Sequence, residues 1–180
     1  MNRSGAFDRV ALGATDVLVS RLGWGMWRFQ GDDLARARAL VDAALDAGIN
    51  LFDTADIYGF NGRDGFGDAE ILLGQLFAAD PGLRHKLVLA SKSGVVPGVP
   101  YDSRADYLVA ACEASLHRLG TDHLDLFQVH RPDVLTHPAE VAEVLTGLCD
   151  DGLVRHVGLS NVTPSQFELV QGHLDLRLVT

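Results

Sequence analysis

Leu124-Asp125-Leu126-Phe127-Gln128-Val129-His130 is the stretch from which the fold can be read. Leu124, Leu126, Phe127 and Val129 make it apolar on both faces, as a strand covered on both sides of a parallel sheet should be. It then ends on an ionisable residue. Working outward, similar short apolar runs stand at 22–27, 49–53, 87–91, 154–159 and 176–180. Helical patterns fill the intervals. Leu34, Ala37, Val41, Ala44 and Leu45 recur at helical spacing within 33–47, with Gly48 placed to end the helix. Leu72, Leu73, Leu76 and Phe77 form a stripe in 69–78. Leu108, Ala111, Cys112, Ser115, Leu116 and Leu119 line one face of 104–119, where Ser103 is the expected N-cap and Gly120 the stop. Val141, Val144, Leu145 and Leu148 repeat the pattern. A last helix opens with Thr163, Pro164 and Gln166: a cap, a proline at the first helical position and a glutamine three residues after the cap.

Strands alternating with helices imply a parallel sheet, either open and doubly wound or closed into a barrel. Ahead of it, Val10 to Leu12, a turn at Gly13 to Asp16, and Val17 to Val19 predict a small β-hairpin. Composition cannot choose between the two parallel architectures, but the polar residues can. The second parallel run ends in Asp53-Thr54-Ala55-Asp56-Ile57-Tyr58-Gly59, the third in Ser91-Lys92, the fourth in His130 and the fifth in Ser160-Asn161. Each has an ordinary reading alone: a helix cap, a solvated lysine, a histidine at the rim of the core, turn residues. Four coincidences at one structural position favour a site, and barrels gather their chemistry at the carboxyl ends of the strands.

The set also makes chemical sense. Tyrosine is a weak acid, with a reference pKa of about 10. A nearby lysine ammonium favours the phenolate, an aspartate can hold that lysine, and a histidine can hydrogen-bond a carbonyl oxygen. Together they could protonate an oxyanion formed as hydride reaches carbon. The hydride itself must come from a cofactor.

These residues resemble the aldo-keto reductase family. The matching stretches are Phe52 to Gly59 (FDTADIYG), Ser91 to Gly94 (SKSG), Leu116 to Pro132 (LHRLGTDHLDLFQVHRP) and Gly152 to Asn161 (GLVRHVGLSN). The resemblance implies an α/β fold of the (β/α)8 TIM-barrel type. It also implies reduction of aldehydes and ketones with NADPH, less often NADH, and a small-molecule carbonyl substrate. By match, Asp53, Tyr58, Lys92 and His130 form the catalytic tetrad. Tyr58 is then the proton donor, Lys92 the neighbour that lowers its pKa, Asp53 the partner of Lys92, and His130 the group orienting the carbonyl. Ser160 and Asn161 would hold the nicotinamide carboxamide. Gly25, Met26 and Trp27 would lie against the cofactor beside Asp53.

Three departures stand out. Met26 occupies a place where a threonine is common, so only a backbone contact is expected there. The loop Phe60 to Gly67 (FNGRDGFG) carries no transferable substrate preference. Finally, a barrel of this type needs about 250 residues. The 180 residues are therefore expected to form a single domain with about six of the eight units plus the hairpin. Strands 7 and 8 and the adenosine-phosphate site would fall outside it, and the sheet would be marginally stable and bind cofactor poorly.

The remaining features set bounds on function. Apolar residues make up 47% and charged residues 22%, with a formal net charge of −9 and no basic stripe, which argues against nucleic acid. No apolar run suits a membrane span. Residues 1–10 lack the order of a secretory signal, so the protein is expected in the cytoplasm, with the sequons at Asn2 and Asn161 unused. Cys112 and Cys149 are expected as reduced core residues, and the histidines lack zinc-ligand spacing, so no metal is expected. The glycines at 62, 65 and 67 lack phosphate-loop order. Oligomeric state is left open. The competing readings are a non-catalytic cofactor-sensing or degenerate barrel module and a Schiff-base lyase built on Lys92.

Overall fold

The computed structural model describes residues 8–99 and 101–180. The polar lead-in before residue 8 and the Asn2 sequon lie outside the described residues. The hairpin is β1 (Arg9–Ala11) and β2 (Leu18–Ser20), antiparallel, with Val10 opposite Val19. Asn50 ties it to the main sheet. Its Oδ1 accepts from Ser20 N at 2.6 Å and its Nδ2 donates to Leu18 O at 3.0 Å.

The main sheet runs β3 (Gly23–Gly25), β4 (Leu51–Asp53), β5 (Val88–Ser93), β6 (Leu124–Val129) and β7 (Val154–Leu159). All neighbours are parallel and spatial order follows chain order. A doubly wound sheet reverses its order at a switch point; this one does not, so it follows a barrel path. The helices are α1 (Leu34–Asp46), α2 (Asp68–Ala79), α3 (Ala105–Leu119), α4 (Pro138–Asp150) and α5 (Pro164–Gln171). The run at 176–180 forms less strand than expected: it contributes one parallel bridge, Val179 to Gly158. Val179 N donates to Val157 O at 3.0 Å and Leu159 N to Val179 O at 2.9 Å, which starts a sixth position in the sheet.

Period-two alternation divides the core. Phe52, Leu89, Phe127 and Val157 pack toward the helices against Leu73, Leu108, Leu119 and Leu145. Ala90, Leu126 and Val179 face the other way and are joined by Leu12 of the hairpin turn. Each fully buried Leu or Phe is worth about 1.5–3 kcal/mol over exposure.

The helix ends follow the sequence closely. Asp33 caps α1 by accepting from Arg36 N at 2.9 Å. Gly48, at φ +85°, ends it, with Gly48 N donating to Leu45 O and Ile49 N to Ala44 O. That pair of hydrogen bonds needs a left-handed residue, a conformation glycine adopts without a side-chain penalty. Gly120 ends α3 in the same way, and Thr163 and Gln166 form the expected capping box. Ser103 is a correction: it does not cap α3. Arg104 occupies the cap position without a side-chain bond, and Glu140 of α4 accepts from Ala105 N at 3.2 Å instead. A residue from another helix has taken the role a local serine could fill.

Helices α2 and α3 meet at Gly74, where an added Cβ would collide with the Arg118 carbonyl. Propensity alone predicts that Gly74→Ala stabilises α2 by about 1 kcal/mol. The close approach predicts the opposite, a loss of about 1–3 kcal/mol. Urea unfolding of the variant decides the sign.

Candidate active site

Hydrogen bonds continue the parallel ladder past the assigned strand ends. Met26 N donates to Asp53 O (2.9 Å), Thr54 N to Ala90 O (2.9 Å), Asp56 N to Lys92 O (3.0 Å), His130 N to Ser93 O (2.8 Å) and Ser160 N to Val129 O (2.9 Å). Each strand thereby holds its neighbour's functional residue in step. The residues named from sequence arrive on one rim because they occupy equivalent places in this ladder.

Lys92 is the centre of the group. Its side chain is only 5% exposed, and its ammonium donates to Asp53 Oδ1 at 2.6 Å and to Thr54 O at 2.9 Å. The ammonium stands 5.1 Å from the centre of the Tyr58 ring. Tyr58 packs edge-on against His130, with ring centres 5.8 Å apart and planes at 80°. The turn carrying Tyr58 is fixed by Tyr58 N donating to Ala55 O at 3.0 Å and Ala69 N donating to Tyr58 O at 3.2 Å.

The protonation states follow from burial. Burial and then the Asp53 charge push the Tyr58 phenol up to about 12. The net push on the phenol is upward, while the Lys92 ammonium is engaged by Asp53 and Thr54. Burial also lowers the Lys92 pKa, opposed chiefly by Asp53. His130 is lowered to about 4, first by burial and then by the charges of Lys92 and Arg131, so its imidazole is neutral at neutral pH. Its Nδ1 is buried without a hydrogen-bond partner.

The residues expected around a nicotinamide divide. Asn161 takes φ 58°, the one positive value outside glycine among the described residues. Asparagine tolerates that conformation. Its Nδ2 donates to His130 O and to Ser160 Oγ, both at 2.9 Å, so the amide is locked with Oδ1 left as an acceptor. Gly25 stands beside Asp53 in register, and nothing lies within 4 Å of where its Cβ would be. Trp27 is 66% exposed with the Arg28 guanidinium over its ring. Met26 is fully buried in the core, with its N–H donating to Asp53 O and its carbonyl accepting from Phe29 N.

A cavity of about 730 Å³ lies at the opposite end of the strands among Arg9, Asn50, Val88 and His156 and holds none of the tetrad. No group of three or more potential metal ligands gathers among the described residues, and no described helix is long and apolar enough to cross a membrane. Cys112 is buried and Cys149 half-buried, both as free thiols whose pKa values are raised chiefly by burial.

A model of the aldo/keto reductase family matches residues 21–180. The chain belongs to the aldo/keto reductase family. It is 52% identical over 171 residues to a 6-dehydroglucose reductase of Novosphingobium aromaticivorans, covering 94% of this chain and 56% of that protein. A second 6-dehydroglucose reductase, from Agrobacterium fabrum, is 40% identical over 186 residues, covering 96% of this chain and 60% of the other. Among solved structures, a glycerol dehydrogenase from Gluconobacter oxydans superposes with TM-score 0.80 at 33% identity, over 95% of this chain and 54% of its own. An aldo-keto reductase from Bacillus halodurans, in its holo form, gives 0.79 at 30% identity, over 94% and 55%. The chain thus spans little more than half the length of these relatives.

Sequence reasoning missed a second polar layer in this reductase-family chain, on the helix side of β5. Glu70 of α2 is fully buried, accepts from Ser91 Oγ at 2.6 Å and pairs with Arg118 of α3 at 2.7 Å. Asp56 and Ser93 are buried in the same region. The one available signal was Glu70 itself, a lone carboxylate near the start of an otherwise apolar helical stripe.

A neutral His130 has a direct readout. Its ring carbon resonances should stay constant from pH 8 down to about 5 and move only near 4. A midpoint near the ordinary histidine value of about 6.5 would contradict the burial argument.

Proposed function

We propose that this chain carries the catalytic centre of an NADP(H)-dependent reductase of aldehydes and ketones, and that its substrate is the aldehyde of an oxidised sugar. The observation that carries the first part is the convergence of Tyr58, His130 and the Lys92–Asp53 ion pair on one rim. The two relatives named 6-dehydroglucose reductase support the second part. A sugar dehydrogenated at its sixth carbon bears an aldehyde there, which this chemistry would return to an alcohol.

The residues present suit a nicotinamide. Asn161, with its Nδ2 engaged and Oδ1 left to accept, can bind the carboxamide N–H beside Ser160, while Gly25 and Trp27 offer open ground at the mouth of β3. When bound, that group supplies the hydride.

The protein's own residues do the rest. Neutral His130 can donate an N–H to the substrate carbonyl oxygen and hold it toward Tyr58. As negative charge gathers on that oxygen, Tyr58 gives up its phenolic proton there. The O–H bond of tyrosine breaks, the O–H bond of the product alcohol forms, and the phenolate left behind is stabilised by the nearby Lys92 ammonium. Asp53 keeps Lys92 charged and aimed. A phenol pushed up to about 12 holds its proton until the substrate oxygen becomes the stronger base.

Consumption of NADPH, with NADH in parallel, tests this reading on a 6-dehydro sugar and simpler aldehydes. Tyr58→Phe should lower kcat/KM by roughly 100- to 10,000-fold while cofactor affinity stays the same. Near-normal turnover in that variant contradicts the role given to Tyr58.

A further inference from the structure

The mechanism above makes no use of Asp56, whose setting is unusual for a carboxylate. It is 1% exposed, and neither side-chain oxygen makes a well-aligned hydrogen bond, although the Ser93 hydroxyl and the Ile57 N–H approach closely enough to pull its pKa down. It lies between Asp53 and Tyr58, and its N–H donates to the Lys92 carbonyl at 3.0 Å. A buried, unpartnered carboxylate ion is costly, and such groups recover a proton, a cation or a hydrogen bond.

Among the described residues, the nearby cations are engaged elsewhere. Arg118, from α3, gives its Nε and Nη2 to Glu70 at 2.8 and 2.7 Å, and Nη2 also reaches Ser115 Oγ at 3.1 Å. Lys92, from β5, is committed to Asp53. Tyr107 of α3, whose pKa is raised by burial and then by Asp56, faces the region as a neutral phenol. Glu70 of α2 adds a second carboxylate. The one guanidinium in this layer thus pairs with Glu70, and Asp56 is left without an ion-pair partner. The Ser93 hydroxyl, also buried and unpartnered, is near enough to influence it.

We propose that Asp56 is a positioning residue that works as a neutral carboxylic acid: its proton, rather than its charge, lets the turn carrying Tyr58 seat against β5 and so sets where the phenol stands. The proposal rests on the reading of Tyr58 as proton donor. A protonated Asp56 can offer an O–H to Ser93 and adds no second negative charge beside Glu70. An ionised one loses that donor and places a charge in the layer behind Lys92, where it strengthens the ammonium. Burial and then the Glu70 charge push the Asp56 carboxyl up to about 7, against the pull of Ser93 and Arg118. The change of state therefore falls in the neutral range, well apart from those of His130 and Tyr58.

The test is a carbon-13 titration of the intact protein labelled at aspartate Cγ and tyrosine Cζ, from pH 5 to 9, for wild type and Asp56→Asn. One aspartate signal should titrate near neutrality and be missing from the variant. The Tyr58 signal, assigned by its loss in Tyr58→Phe, should shift with the same midpoint in wild type and stay level in Asp56→Asn. If every aspartate titrates below about pH 5, the carboxyl is ionised throughout and the proposal is overturned. A Tyr58 step that persists in Asp56→Asn overturns it equally. Should the Asp56→Asn variant fail to fold, the wild-type titration still decides: a Tyr58 signal that does not share the midpoint of the neutral-range aspartate overturns the proposal. None of these readouts needs turnover. Failure of the reductase reading would appear instead as wild-type protein that reduces no carbonyl while its titrations are unchanged.

Discussion

The Lys92 ammonium, held by Asp53 and the Thr54 carbonyl, is the interaction on which the rest of the rim depends. A lysine so deeply buried would be costly alone, and the two acceptors at 2.6 and 2.9 Å offset that cost. Both acceptors lie at the end of β4 and the donor lies on β5, so the bond also fixes how the two strands line up. A one-residue slip would turn Lys92 to the helix side, where α2 and α3 already hold a guanidinium. The same alignment places Tyr58 a few residues beyond Asp53, with the ammonium 5.1 Å from its ring.

Alternation along β5 gives the site two faces. Lys92 points away from the helices toward Asp53 and Tyr58, whereas Ser91 and Ser93 point into the helix layer, where Glu70, Arg118 and Asp56 lie. One short strand thus separates an ion pair at the mouth from a second charged cluster behind it. Charge is felt across the strand: Glu70, and Asp56 whenever it is ionised, favour the charged form of Lys92. Side chains on the rim need fixed positions to act on a substrate, and hydrogen bonds from a buried polar layer are one way to supply that rigidity.

Much of this was legible in the sequence because it is local. Helix stops at Gly48 and Gly120, the Thr163 capping box and the strand-end positions of Asp53, Lys92 and His130 each depend on a few adjacent residues or on period-two alternation. What was not legible depends on tertiary context. Ser103 was a reasonable cap until Glu140 arrived from α4. The burial of Met26, which the turn to Phe29 folds into the core, is not announced by its place at a strand end. The Glu70–Arg118 pair joins residues on separate helices, so neither charge announces the other. The upward push on the Tyr58 phenol comes from burial and then Asp53, and burial is not readable from spacing.

The central claim is that Asp53 and Lys92 act as one unit that prepares Tyr58 to deliver its proton. A double-mutant cycle with Asp53→Asn and Lys92→Met, read as kcat for carbonyl reduction, tests it most directly. If the pair is one unit, the double variant should be no slower than the slower single variant, because the second change removes nothing that the first left intact. Losses that multiply would show that each residue contributes independently and would contradict the account.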